Sequence, residues 1–145
     1  MTLRTNALAC GVLCGLVAVV AYSAGFTRGA DKAAKRVYEL RTYTTEPGRL
    51  PALHARFRDH TMRLFEKHGI HNEMYWVPTD EKLKDNTLIY VVSHASLDAA
   101  KKSWAEFIND PEWKKASEAS EQDGKIVARI EKHYMTVTDY SPDSK

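Results

Sequence analysis

Between residues 35 and 138 the apolar residues recur with a period of two, then 3.6, then two, and the cycle is repeated. That order leaves few folds open. Lys35 to Thr44 alternates and is rich in β-branched and aromatic residues, which predicts a strand with two unlike faces. Tyr38, Leu40 and Thr42 share one face; Val37, Glu39, Arg41 and Tyr43 share the other. Glu46-Pro47-Gly48 is a turn. Leu50, Leu53, Phe57, Thr61 and Leu64, with Phe65 at the margin, line one side of a helix over residues 49–68, and Gly69 ends it. Strands are expected over 70–77 and 87–94, paired as an antiparallel hairpin across the polar run 79–86.

Ser96 is placed to cap a second long helix, with Leu97, Ala100, Trp104 and Phe107 as its buried stripe and Asn109 as its end. Asp110-Pro111-Glu112-Trp113 begins another helix: a capping carboxylate, proline at the first helical position and an acid in the first turn. Gly124 closes it, and residues 125–138 form a last strand. The result is α+β, a ferredoxin-like β-α-β-β-α-β sandwich with a short extra helix before the last strand. Helices on one side leave the other sheet face open. A broad apolar face of that kind marks an interaction site, so two sheets stacked face to face, a homodimer, is the expected assembly.

The first thirty residues are a different material. Arg4 precedes an uncharged run from Ala7 to Phe26, followed by Arg28, Lys32, Lys35 and Arg36. This is the pattern of a signal peptide, with cleavage near Ala21, Ser23 or Ala24, or of a retained membrane anchor. The chain therefore divides into a leader, 1–30, and a domain, 31–145, expected to be exported to the periplasm or beyond. Membrane contact is expected only through an uncleaved leader. Cys10 and Cys14 both lie in the leader, so the domain has no disulfide and no cysteine chemistry. Without Arg4 and Arg28, 19 of the 21 basic residues remain against 19 acidic ones. That balance, without a basic block, excludes nucleic acid as the main partner.

No spacing among the six histidines fits a helical metal pair. His54 and His60 diverge around the first helix, and His68 and His71 straddle Gly69, so no metal and no cofactor is expected. Glu39, Arg41 and Tyr43 share a strand face and form a candidate polar patch in a pocket; the plainer reading of the first two is an ion pair. His94 and His133, in the last two strands, are candidate bases for the same pocket. Trp76 is the candidate aromatic wall, whereas Trp104 and Trp113 are read as core and plug. There is no glycine-rich phosphate loop and no Gly-x-Ser-x-Gly elbow.

Tyr38-Glu39-Leu40-Arg41-Thr42-Tyr43 with Pro47-Gly48, Phe65-Glu66-Lys67-His68-Gly69, Tyr75-Trp76, and Trp104-Ala105-Glu106-Phe107 followed by Asp110-Pro111-Glu112-Trp113 resemble the NIPSNAP domain. The resemblance spans residues 36 to 138. It implies a dimeric α/β barrel and supplies no catalytic residue set. Two functions compete. One is a non-enzymatic dimer that binds a small apolar ligand or a protein partner. The other is a cofactor-independent monooxygenase- or isomerase-type enzyme, by analogy with other dimeric α/β barrels.

Overall fold

A computed structural model describes residues 36–142. The leader, its cleavage site and both cysteines lie outside the described residues. Strand β1 (Val37–Thr45) opens the domain. The expected first helix is divided into α1 (Leu50–Arg56), a π-helical turn (Phe57–Thr61) and α2 (Met62–Lys67). In the wide turn the Met62 amide donates to the carbonyl of Phe57, five residues back. The Thr61 hydroxyl donates to the Arg56 carbonyl at 3.1 Å. Periodicity does not reveal such a turn, because the widening changes hydrogen bonding and not the kinds of residue on each face. Gly69, at φ 71°, takes the left-handed conformation that ends α2.

Strands β2 (His71–Trp76) and β3 (Thr87–His94) form the expected hairpin, with a bulge between Asn72 and Met74. The Ser96 hydroxyl caps α3 (Leu97–Asn109) by accepting from the Ala99 amide at 3.1 Å. Asp110 caps α4 (Pro111–Ser120) by accepting from the Glu112 and Trp113 amides. Within the α3 stripe Ala100 and Phe107 are buried, but Leu97 is 43% exposed. Its place in the first turn lies past the packed layer, and buried Ser103 takes a position inside it. Strand β4 (Val127–Met135) is shorter than the expected 125–138. Its last pairing, Tyr38 with Met135, falls where β1 itself begins, so residues 136–138 have no strand to bond.

The sheet order is β2-β3-β1-β4, antiparallel throughout. This is the ferredoxin-like sandwich, with α4 as the extra helix. One sheet face carries the helices. From it Tyr43 and Tyr90 meet Phe57 of the π turn at ring distances of 6.1 and 5.2 Å, and Phe65 meets Phe107 at 4.9 Å. Such edge-to-face pairs contribute about 0.5–1.5 kcal/mol each beyond burial. The opposite face carries Tyr38, Leu40, Met74, Ile89 and Val91 without helix cover. Met74 is 54% exposed there. Among the described residues no helix is long and apolar enough to cross a membrane.

Candidate functional site

The alternation of β1 sends Glu39, Arg41 and Tyr43 toward the helices rather than onto the open face. Antiparallel pairing with β3 brings His94 to the same side, and α3 lowers Trp104 onto them. Glu39 and His94 are both fully buried. One carboxylate oxygen of Glu39, Oε2, accepts from Trp104 Nε1 at 2.6 Å and meets His94 Nε2 at 3.1 Å. The other oxygen, Oε1, stands 3.4 Å from Arg41 Nη1 without a hydrogen bond. The Arg41 guanidinium lies over the Trp104 ring at 4.0 Å and near Tyr43 at 5.5 Å.

Burial alone would raise the Glu39 carboxyl. The His94 hydrogen bond, the Arg41 charge and the Trp104 hydrogen bond together outweigh it and hold the group below its ordinary value. Burial pushes the Tyr90 phenol well up, which keeps it a neutral O–H. Burial and the charge of Glu39 likewise raise Tyr134, which faces Glu39 from β4. The cluster leaves polar atoms over: Arg41 Nε, Tyr90 Oη, His94 Nδ1 and Glu39 Oε1 are buried without a hydrogen-bond partner. A buried group left in that state costs about 1–3 kcal/mol, so four in one place require an explanation.

A cavity of about 150 Å³ shares Tyr43 with this face of β1 and is walled also by Phe65, Phe107, Arg56, Trp113 and Ile130; Glu39, Arg41, Tyr90 and His94 are not in its lining. The π turn forms part of this wall through Phe57 and Thr61. Arg56 is fixed by Ser120 Oγ at 3.3 Å and Glu121 Oε1 at 3.1 Å, which ties α1 to the end of α4. Strand β4 runs past the helix cover. Ile130, Lys132 and Tyr134 pair with Tyr43, Arg41 and Glu39 on the helix-facing side, and all three are exposed. They give the layer an open flank.

Glu39, Arg41, Tyr43 and His94 are therefore brought together, and two expected members of the pocket are not. His133 pairs with Leu40, so its side of β4 is the open face. Trp76 is 47% exposed and borders a separate groove of about 290 Å³, with His54, Met62 and Tyr75. There burial, then Arg58, lowers the His54 pKa. Trp104, read from sequence as core, is the cluster's missing member. Its helical spacing puts it on the buried side of α3, but nothing in that spacing names β1 or a carboxylate as its partner. Two other histidines also meet carboxylates: His68 meets Asp110 at 2.7 Å, and His71 meets Glu66 at 3.1 Å. Among the described residues no three His, Cys, Asp or Glu side chains converge as a ligand set.

Comparison with known proteins places this geometry. A NIPSNAP-like domain protein from Burkholderia xenovorans superposes with a TM-score of 0.64 at 16% identity, over 75% of this chain and 90% of its own. A NIPSNAP family protein of unknown function from Agrobacterium tumefaciens gives 0.63 at 23% identity, over 75% and 94%. SnoaB, a cofactor-independent oxygenase from Streptomyces nogalater, gives 0.51 at 14% identity, over 76% and 100%. At these identities the likeness is one of fold. A search of curated proteins finds no match. The NIPSNAP family model matches residues 38–142, all the helices and all but the first residue of the sheet, and the chain belongs to the NIPSNAP family.

Proposed function

We propose that this NIPSNAP protein is an exported or membrane-tethered homodimer whose protomers each bind a small, mainly apolar molecule in the cleft between β4 and the helices. One observation carries the binding reading. Polar atoms buried without partners stand beside an apolar cavity and an uncovered strand, where an incoming molecule would complete them. The dimer has its support in the open sheet face. Leu40, Ile89 and Val91 occupy its middle strands, with His71, Glu73 and Met74 on the edge strand β2 and Arg129, Glu131 and His133 on the edge strand β4. An apolar centre within a polar rim suits a second copy of the same face.

The alternative, a cofactor-independent monooxygenase- or isomerase-type enzyme, has the shared fold in its favour and the electrostatics of Glu39 against it. A carboxylate held below its ordinary pKa, with one oxygen already occupied by His94 and Trp104, is a weak general base. Native mass spectrometry of the purified protein tests the proposal. Two chains with a reproducible excess mass are expected, and Leu40→Lys should give single chains. A monomeric parent protein would sink the dimer. Two chains that take up no small molecule across a broad panel would leave a protein partner as the better reading.

A further inference from the structure

From the hydrogen-bond accounts of the cleft we infer that its ligand is an acid, an aromatic or aliphatic carboxylate seated on the guanidinium of Arg41. The inference rests on the reading of the cleft as a binding site and adds the ligand's chemistry to it. Arg41 is 9% exposed, yet its guanidinium makes no hydrogen bond with the described residues. Nε is buried without a partner, and Nη1 has only the 3.4 Å contact with Glu39 Oε1. An arginine fork presents five N–H donors in one plane, a geometry that matches the two oxygens of a carboxylate. Here Trp104 beneath it at 4.0 Å holds that plane in place.

Glu39 Oε1, 3.4 Å from Nη1, makes no hydrogen bond with the guanidinium, and Nε is left unmet. A second positive group stands close by. Lys132 pairs with Arg41 across β1 and β4 on the same side and has no ion pair among the described residues. The apolar cavity begins at Tyr43, the next residue on that face of β1, so an acid headgroup on Arg41 would direct its hydrocarbon part between Phe65, Phe107 and Ile130. Shape and charge thus ask for one amphipathic molecule.

The test uses 3-phenylpropanoate and its uncharged counterpart 3-phenylpropanol, titrated into the full protein while the indole N–H resonance of Trp104 is followed by NMR. That N–H donates to Glu39 and sits against Arg41, so it reports on this site. The acid should bind at least about tenfold more tightly than the alcohol. Arg41→Met should reduce the acid to the alcohol's affinity, Arg41→Lys should restore part of the preference, and Lys132→Gln should keep it. Equal affinities for acid and alcohol in the parent protein would overturn the carboxylate and leave the apolar cleft standing. Response to neither compound would overturn both readings. A preference abolished by Lys132→Gln and untouched at Arg41 would overturn the assignment to the buried guanidinium. The parent protein's acid-to-alcohol ratio decides the matter even where a variant fails to fold.

Discussion

Tyr43 and Arg41 stand two residues apart on the same face of β1, in halves of the layer that are built differently. Around Tyr43 the contacts are aromatic, and Phe57, Phe65, Tyr90 and Phe107 fill the space between sheet and helices. Around Arg41 the contacts are polar and incomplete, with Glu39, His94 and Trp104 linked through one carboxylate oxygen. The first half is what a small domain without disulfides needs, since its stability must come from packing. The second half is a poor way to gain stability, because each unpaired buried atom subtracts from it. The contrast separates what the domain folds with from what it keeps available.

Substitutions can break that contrast. The largest effect is expected in the aromatic half: Phe65→Ala should cost about 3–5 kcal/mol in denaturant unfolding. A loss below about 1 kcal/mol would mean that this half does not carry the fold. Glu39→Gln comes next, at about 1–3 kcal/mol, since the carboxylate is the hub of the polar half. Its pH profile sharpens the point. In the fold the Glu39 carboxyl sits below its ordinary 4.5, so as acid is added the unfolded chain binds the proton first. The stability it contributes is complete above about pH 4.5 and lost as the pH falls through the lower, folded value. Glu39→Gln should flatten that fall. Asp110, lowered by Lys67 and His68, adds a second loss in the same direction below its ordinary 3.8.

Thr61→Val should cost about 1 kcal/mol, because the Arg56 carbonyl at the π turn loses its hydroxyl partner.

The parity of β1 was readable in its residues, and with it the grouping of Glu39, Arg41 and Tyr43. Which parity meets the helices was not, because alternation gives two faces and only packing decides which is covered. His94 joined the group and His133 did not for the same reason. A step of one residue, from Tyr134 opposite Glu39 to His133 opposite Leu40, reverses the side of the sheet. Caps were legible at Ser96 and Asp110 because their chemistry is local. The Trp104 to Glu39 bond spans 65 positions in the chain, and a distance of that kind leaves no trace in spacing.

The pairing of Tyr38 with Met135 has a mechanical consequence. The first and last strands are antiparallel neighbours, and the ends where the chain enters β1 and leaves β4 lie side by side. A pull applied between those ends would open the seam one rung at a time, like a zip, instead of shearing all its rungs together. Strain on the tail would peel β4 first, and β4 is the flank of the cleft. A load that left the aromatic half intact would therefore already have opened the proposed cleft.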